Sequence, residues 1–321
     1  MTALLPRSAL GLTAGAAAGL AYASLIERQA YVVRRATVPV LPPGTRPLRV
    51  LHVSDLHLVP RQRRKIAWVK GLAALEPDFV VDTGDNLADL RAVPATVEAL
   101  GPLLERPGAF VLGSNDYFGP TPKNPLRYFN TSHRKAPRMG ANRLPTGDLV
   151  RSFTGAGWVD LDNVRTVVSV AGVDLELVGV NDPHIELDDY PAVAQPAAAS
   201  AALTIGVVHA PYQRVLDPMV ADGAGLVLAG HTHGGQLCLP GVGALVTNCD
   251  LPRDRAKGVS RWWPGAGTPQ PVPSSAAPPP GAPADAAWLH VSAGLGTSPY
   301  APARFACRPE ATLLTLAPRP S

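Results

Sequence analysis

Short apolar runs recur along the chain from Leu48 onward, and polar residues follow most of them at once. Runs of this kind predict buried β-strands. Between the early runs, residues 66–75 and 93–104 carry apolar side chains at helical spacing, and residues 165–182 alternate around Gly172 as in a hairpin. Strands that alternate with helices predict βαβ units, and the later strands without helices predict a mixed sheet. The pattern therefore predicts an α/β fold.

Residue types that bind metal ions stand where the predicted strands end. They are Asp55 and His57, Asp85, Asn115, His209, and His231 with His233. Ligands of α/β folds collect at the carboxyl ends of the strands, so we expect these side chains to meet in one cleft. In an extended segment, residues two apart point the same way. We therefore expect the imidazoles of His231 and His233 to face one spot.

The donor set contains oxygen and nitrogen atoms but no sulfur. Such a set suits Mn, Fe or Zn at a catalytic site better than a structural zinc finger. It also holds more ligands than one ion needs. Two divalent ions about 3.5–4 Å apart, bridged by one carboxylate, would use them all, and such pairs serve in-line attack at phosphorus. The sequence therefore predicts two divalent metal ions as cofactors and an anionic phosphoester as substrate.

Composition narrows the class of protein further. The chain has 321 residues, of which 46% are hydrophobic, and this is enough for one large domain with its own core. The formal net charge of +4 is too small to indicate nucleic acid, so no such partner is expected. Cys238, Cys249 and Cys307 cannot all pair and form no CxxC motif, which argues against a disulfide framework or a thiolate zinc site.

Residues 1–35 have the pattern of a targeting or anchoring segment. Residues 9–26 contain no charged side chain, and this uncharged stretch is long enough for a helix that spans a membrane. Ala21 and Ala23 also match the small residues of a signal-peptide cleavage site, and a soluble amphipathic stretch is the third alternative. The proline-rich residues 36–47 are predicted to link this segment to one domain over residues 48–318.

The anchor interpretation places the protein at the cell membrane, held by a single N-terminal segment. Arg28, Arg34 and Arg35 follow the uncharged residues, whereas Arg7 alone precedes them. Because positively charged flanks tend to stay on the cytoplasmic side, this distribution favours a cytoplasmic domain, with an exported form as the alternative.

Two segments break the pattern of strands and helices. Residues 119–147 contain no acidic residue and six basic ones, which are Lys123, Arg127, Arg134, Lys135, Arg138 and Arg143. We interpret this basic insertion either as a solvated loop or as a cationic lid for anionic substrates or phospholipid headgroups. Residues 264–287 are rich in Pro, Ala, Gly and Ser, which predicts a disordered surface insertion.

The polar blocks at the strand ends resemble a known family. "DLH", "GDN", "GSND", "VVHAP" and "GHTHGGQ" are similar, in order, to the D-x-H, G-D, G-N-H-D, H and G-H-x-H blocks of the calcineurin-like metallophosphoesterases. The ending "VSAGLGTSPYAPARFACRPEATLLTL" resembles a bacterial membrane-associated branch with UDP-2,3-diacylglucosamine pyrophosphohydrolase-type enzymes. The resemblance covers residues 48–316 and implies a four-layer αββα sandwich, here with an N-terminal hydrophobic helix.

The resemblance also implies a role for each ligand. Asp55 and His57 would hold the first ion with His233, and Asp85 would bridge both ions. His209 and His231 would hold the second ion with an asparagine, and the ions would activate a water for attack at phosphorus. The implied function is that of a phosphodiesterase or pyrophosphohydrolase on a lipid- or nucleotide-linked substrate. The alternatives are a phosphomonoesterase or protein phosphatase, and a membrane-tethered metal-binding scaffold without catalysis.

One block departs from the family pattern, because "GSND" stands where the family has G-N-H-D. Either Ser114 or Asn115 takes the place of the metal-binding asparagine, and we favour Asn115 because an amide oxygen coordinates better than a hydroxyl. The family's histidine, which is thought to protonate the leaving group, is missing. Asp116 could replace it as an acid if burial raised its pKa. His184 is interpreted as a loop residue, with substrate contact as the alternative.

Overall fold

The computed structural model describes residues 15, 17–121, 142–267 and 282–320, and two six-stranded sheets form its centre. The strands of the first sheet are, in spatial order, β1 (Val32–Leu41), β14 (Glu310–Pro318), β2 (Leu48–Val53), β3 (Phe79–Asp82), β4 (Gly108–Phe110) and β5 (Val159–Asp160). From β2 to β5 neighbouring strands are parallel, whereas β14 is antiparallel to β2 and parallel to β1.

The second sheet is also mixed. Its strands are, in spatial order, β12 (Gly258–Trp262), β13 (Ala287–Val291), β9 (Leu226–Ala229), β8 (Leu203–Val208), β7 (Val173–Gly179) and β6 (Val164–Val170). The hairpin predicted around Gly172 is present as the antiparallel pair of β6 and β7. A short separate hairpin joins β10 (Cys238–Leu239) to β11 (Gly243–Ala244).

Helices cover the outer faces of both sheets. They are α1 (Arg63–Lys70), α2 (Val93–Leu104), α3 (Ser114–Tyr117), α4 (Thr146–Gly155) and α5 (Gln213–Ala221), with short 3₁₀ turns at Glu27–Gln29, Gly71–Leu75, Pro183–Ile185, Tyr190–Ala192, His233–Gly235 and Arg253–Arg255 and a π-helical turn at Tyr22–Ile26. Helix α2 coincides with the helix predicted from the apolar spacing of residues 93–104. Helix α1 and the following 3₁₀ turn together cover the helix predicted at 66–75.

Three apolar cores separate the layers. The first lies between the first sheet and helices α1, α2 and α4, and includes Val80 of the sheet and Phe153 of α4. The second lies between the two sheets and includes Val50 and Ile205. The third lies between the second sheet and α5, where Leu216 is buried. Each such side chain stabilises the fold by roughly 1.5–3 kcal/mol when fully buried. The layers therefore follow the order helix, sheet, sheet, helix that the resemblance implies.

The segment before the first catalytic strand differs from the sequence-based expectation. Residues 36–47 were expected to form a linker, but residues 36–41 belong to strand β1, which pairs along its length with β14. Proline is tolerated in this strand because β1 is the edge of its sheet, and the pairing is irregular just after Pro39. The proline-rich composition of this segment therefore did not reveal that part of it is a strand.

The expected N-terminal membrane helix is not supported by the described residues. Residues 17–21 are helical and continue into the turn at Tyr22–Ile26. Within the described part of the chain, no helix is both long enough and apolar enough to cross a membrane. Residues 1–14 and 16 of the predicted anchor lie outside that part.

Most of each predicted insertion also lies outside the described residues. Residues 122–141 of the basic insertion and 268–281 of the Pro/Ala-rich insertion belong to these undescribed parts. At the base of the basic insertion, Gly119 N–H donates to Asn142 O at 2.7 Å and Leu144 N–H donates to Tyr117 O at 2.9 Å. The two ends of this insertion therefore meet directly after helix α3.

Candidate metal centre

The candidate ligands lie where strands of both sheets end. Asp55 follows β2, Asp85 follows β3, and Asn115 lies in α3 after β4. From the second sheet, His209 follows β8 directly and His231 follows β9. Because the carboxyl ends of these parallel strands face one cleft, the two sheets together supply the ligands, as the sequence predicts.

The first ligand group consists of Asp55, His57 and His233. The Nε2 atoms of His57 and His233 lie 3.2 Å apart. His233 Nε2 lies 3.5 Å from Asp55 Oδ1, and His57 Nε2 lies 4.0 Å from the same oxygen. The ligand atoms of this group therefore converge on one position.

We assign His209 and His231 to a second ligand group, with Asn115 as its predicted third member. His209 Nε2 lies 3.3 Å from His231 Nδ1. Asp85 lies between the groups, with its Oδ2 atom 3.5 Å from His57 Nε2 and 3.5 Å from His209 Nε2. This carboxylate is placed as a bridging ligand would be.

These distances fit a pair of divalent ions. First-row metals bind histidine and carboxylate at about 2.0–2.2 Å, so neighbouring ligand atoms around one ion lie roughly 3–3.5 Å apart. Most ligand-atom separations in both groups fall in this range. Asp55 Oδ1 is also buried and has no hydrogen-bond partner among the described residues, which is costly for a carboxylate without a cation. The residues present therefore fit a dimetal centre.

The backbone at the ligands is strained. Five ligand residues have a positive φ, namely Asp55 (52°), His57 (41°), Asp85 (59°), His231 (68°) and His233 (49°). Residues other than glycine adopt this left-handed conformation rarely, and each such residue costs on the order of 1–3 kcal/mol. Strain of this kind is concentrated at functional sites, where the surrounding structure holds it in place.

The same backbone overturns the expectation for the His-x-His segment. His231 and His233 do not lie in an extended strand, since both have positive φ and a 3₁₀ turn begins at His233. Their rings therefore face different ligand groups instead of one spot. Gly230 permits this path, because a Cβ atom there would overlap Ser54 Oγ and lie 2.8 Å from Asp55 Oδ2.

Burial keeps three of the four histidine ligands neutral, whereas at His209 the charges of Asp85 and Asp182 outweigh burial and raise the pKa well above its ordinary value. Burial lowers the pKa of His57 to about 4 and the pKa values of His231 and His233 well below the ordinary range. Burial opposes ionisation of Asp85, but the charge of His209 outweighs it and holds the pKa of this carboxyl well below its usual value. Neutral imidazole and ionised carboxylate are the forms that bind metal ions.

Buried groups outside the ligand set contact the histidines. His209 Nδ1 lies 2.6 Å from Thr83 O, and His231 Nε2 lies 3.2 Å from Asn248 O. Arg304 is fully buried, donates to the carbonyl oxygens of Ala293 and Gly296 at 2.7 Å, and lies 3.3 Å from His233 Nδ1. Sequence reasoning missed Arg304, because nothing in the local pattern distinguishes it from a surface arginine.

The structure brings Asn115 of the "GSND" block into contact with Asp85, and its role as a metal ligand in place of Ser114 stays a prediction. The backbone N–H of Asn115 donates to Asp85 Oδ1 at 2.7 Å, and its side-chain amide lies 2.7 Å from Asp85 Oδ2. The amide therefore contacts the bridging carboxylate itself. This places Asn115 beside the second ligand group, where the favoured alignment expects it.

Asp116 is held by backbone donors, and its role as a proton donor stays a prediction. Burial raises the pKa of this carboxyl, as an acid would need. However, its oxygens accept backbone N–H groups from Asp85, Asn86, Leu87 and Gly113 at 2.7–3.3 Å. Asp116 therefore joins the loops after β3 and β4 and is occupied by their backbone.

His184 lies beside the second ligand group, in the connection between β7 and β8. It belongs to the 3₁₀ turn at Pro183–Ile185, and its ring centre is 4.5 Å from that of His231. Its Nδ1 atom lies 3.0 Å from the Tyr212 hydroxyl. The half-buried imidazole is therefore at the edge of the cleft, where substrate contact is possible.

Comparison with known proteins agrees with this site. The model of the calcineurin-like phosphoesterase family matches residues 48–235, which is more than half of the chain. The protein therefore belongs to the calcineurin-like phosphoesterase family. The matched region contains all seven proposed metal ligands.

Two curated relatives are similar over part of their length. A Bos taurus protein named "Transmembrane protein with metallophosphoesterase domain" is 29% identical over 220 residues, which cover 66% of this chain and 46% of the relative. The "Uncharacterized protein YpbG" of Bacillus subtilis (strain 168) is 26% identical over 199 residues, covering 60% of this chain and 64% of the relative. The chain therefore spans less than two thirds of either relative.

Among solved structures, the 5'-nucleotidase precursor from Thermus thermophilus aligns with 84% of this chain and 55% of its own, at 14% identity and a TM-score of 0.43.

Proposed function

We propose that the protein is a dimetal-dependent phosphoester hydrolase that acts as a phosphodiesterase or pyrophosphohydrolase. The observation that carries this proposal is the position of Asp85 Oδ2, which lies 3.5 Å from a histidine of each ligand group. Bound divalent ions would supply a water of lowered pKa as nucleophile and would neutralise charge on the phosphate oxygens. Manganese, iron and zinc all suit these donors.

The residues of the chain fix the geometry of this reaction. The two ligand groups and Asp85 hold their donor atoms in place through the strained backbone that follows the strands. Asn115 donates to Asp85, and we propose that it is the third ligand of the second group. His184 and Tyr212, which are joined by a hydrogen bond at the edge of the cleft, are placed to contact the substrate beside His231.

The "GSND" block points to substrates with good leaving groups. The family's histidine is replaced, and Asp116 is held by backbone N–H donors instead of facing the cleft. An alkoxide needs a proton as its bond to phosphorus breaks, whereas a nucleotide phosphate or p-nitrophenolate leaves without one. We therefore propose lipid- or nucleotide-linked pyrophosphates or diesters as the substrate class, in agreement with the branch that the C-terminal sequence resembles.

Turnover of chromogenic substrates tests the proposal. We expect the chelated protein to be inactive and Mn²⁺ to restore hydrolysis of bis-p-nitrophenyl phosphate more than that of p-nitrophenyl phosphate. Within a series of aryl diesters, kcat should fall as the pKa of the leaving group rises. Preference for the monoester would favour a phosphatase, and absence of turnover with two bound ions would favour a metal-binding scaffold.

A further inference from the structure

Exposed apolar side chains are concentrated on one part of the surface. Among the described residues, most large apolar side chains that remain exposed lie on three segments, and we call these the apolar rim: Leu20, Tyr22, Leu25, Ile26, Leu239, Val242 and Tyr300. Val242, at the turn of the β10–β11 hairpin, is 72% exposed, and Leu25 is 66% exposed. Patches of this kind indicate an interaction surface.

The three segments of the apolar rim are joined to one another. Phe305 lies between two of them, since its carbonyl accepts the N–H of Cys238 at 2.9 Å and its ring contacts the Tyr22 ring edge-on at 6.4 Å. The loop that carries Tyr300 is joined to the same place, because the Gln236 amide donates to Ala301 O at 2.7 Å. The apolar side chains therefore belong to one supported surface.

The apolar rim lies next to the first ligand group. Gln236 directly follows the 3₁₀ turn His233–Gly235, and the β10–β11 hairpin begins two residues later. Cys238 Sγ lies 3.2 Å from Gly234 O, which fixes the hairpin against the ligand turn. A body that contacts the rim would therefore lie beside the mouth of the metal centre.

The charges of these segments favour a lipid bilayer as the occupant. Residues 17–26, 237–245 and 297–305 contain no acidic residue, and their one charged side chain, Arg304, is buried. Tyr22 and Tyr300 are of the type enriched at the boundary between lipid and water. The uncharged sequence of the first segment also extends back to residue 9, beyond the described helix.

We infer that the apolar rim inserts into the interfacial layer of a phospholipid bilayer. An apolar helix face of this kind lies in the plane of the interface, about 5–10 Å into the boundary between headgroups and acyl chains. The metal centre would then open at the level of the headgroups. It follows that the substrate is an amphiphilic phosphoester taken from the membrane, and this second statement alone rests on the proposed function.

A fluorescent label on the hairpin tests the insertion. The native cysteines are all buried, so Val242→Cys in the full chain can be labelled selectively with the environment-sensitive dye NBD. Val167→Cys is the matched control, because Val167 is 49% exposed on the edge strand β6 of the second sheet. With vesicles of phosphatidylcholine and phosphatidylglycerol, we expect NBD emission to rise and shift to the blue at position 242 and to stay unchanged at position 167.

Loss of apolar side chains gives an independent measurement. We expect Leu239→Ser with Val242→Ser to lower vesicle binding at least about tenfold, since burial of such side chains stabilises insertion. Val164→Ser with Val167→Ser should leave binding unchanged. An unresponsive label at position 242 on vesicle-bound protein would overturn the inference, and so would a protein dimer that the hairpin substitutions dissolve.

Hydrolysis of bis-p-nitrophenyl phosphate, measured on the same variants, separates the two proposals. Because the hairpin side chains are outside the ligand set, turnover of this soluble diester should stay within about twofold of the unmodified protein. Normal turnover without membrane insertion would support the proposed function and overturn the inference about the apolar rim. Membrane insertion without metal-dependent turnover would support the membrane-binding surface and contradict the proposed enzymatic function.

Discussion

The two ligand groups of the metal centre are held by different kinds of partner. In the second group, His209 and His231 each place one ring nitrogen against a backbone carbonyl, of Thr83 at 2.6 Å and of Asn248 at 3.2 Å. A carbonyl only accepts, so the proton of each ring is fixed there and the other nitrogen presents its lone pair to an ion.

The first group lacks such acceptors among the described residues. His233 Nδ1 lies 3.3 Å from the Arg304 guanidinium, which has no lone pair and cannot accept a ring proton. His57 Nδ1 is buried and has no hydrogen-bond partner in that part of the chain. The tautomers with a free Nε2, which an ion requires, are therefore unsupported in this group.

The charged side chains around the two ligand groups also differ, and they too favour the second group as the tighter binding site. Lys65 is buried beneath the first group and donates to Leu56 O at 2.8 Å, between the ligands Asp55 and His57. With Arg304 it places two basic side chains near the first ligand group, whereas neutral carbonyl groups back the second. The comparison teaches that the ligand sets are similar but their supports are not, and we expect the second group to bind its ion more tightly.

Replacement of Asp85, the ligand that both groups share, should remove the difference in metal affinity between them. We expect Asp85→Ala to lower kcat at least about a thousandfold and to reduce bound metal after dialysis towards zero, because loss of a ligand exceeds the 10- to 100-fold cost typical of its supporting partners. Metal analysis and diester turnover measure this, with the exposed Asp254→Ala as control. Normal turnover with full metal content would contradict the bridging role.

Single-histidine variants should separate the two groups. Titration of the chelated protein with Mn²⁺ should show two binding steps of unequal affinity. We expect His209→Ala to remove the tighter step and His57→Ala the weaker one, each with a loss of affinity of more than about a hundredfold. Calorimetry distinguishes the steps, and the assignment is wrong if His57→Ala removes the tighter one.

A smaller effect should come from the segment that supports the first group from a distance. The buried Glu27 carboxylate accepts the N–H groups of Ala306 and Cys307, at 3.1 and 2.6 Å, next to Arg304. Glu27→Gln weakens these charge-assisted bonds, so we expect about 1–3 kcal/mol less stability and a weaker first ion. Thermal unfolding and metal titration test this against the exposed Glu105→Gln, and a change confined to the second step would refute it.

The smallest expected effect is a pH dependence of stability. Burial lowers the pKa of Lys65 to about 7, below its ordinary value of 10.5, so the unfolded chain binds more protons between these values. Stability from this group therefore grows as pH rises from about 7 towards 10.5 and is lost again as pH falls back to about 7, by at most about 1.4 kcal/mol per pH unit. Urea unfolding of metal-free protein at pH 7 and 9 should show this gain, and Lys65→Met should lack it. Parallel profiles of the two proteins would contradict it, and the exposed Lys70→Met serves as control.

The sequence predicted the cleft better than its surroundings. Apolar runs followed by Asp, Asn or His identify strand ends, and the parallel order of the strands then brings the ligands together. The direction of His231 and His233 was wrong, because positive φ values at both residues replace the extended backbone that the spacing suggested.

No local sequence pattern predicted the residues that hold the surroundings of the first ligand group in place. Glu27 and Cys307 are in contact across nearly the whole chain, and one sequence carries no trace of such a pairing. Strand β1 was not predicted for a related reason, since Pro39 and the prolines that follow the strand resemble a linker unless the strand is known to be an edge.

The pairing of β1 with β14 has a consequence for the order of folding during synthesis. Val32 pairs with Glu310, so among the described strands the first to leave the ribosome waits for the last. Strand β14 also separates β1 from β2, and until it arrives both present unpaired edges that other chains can join. Contacts between such distant residues form slowly. We therefore expect the nascent chain to depend on protection from aggregation until residues 310–318 have emerged.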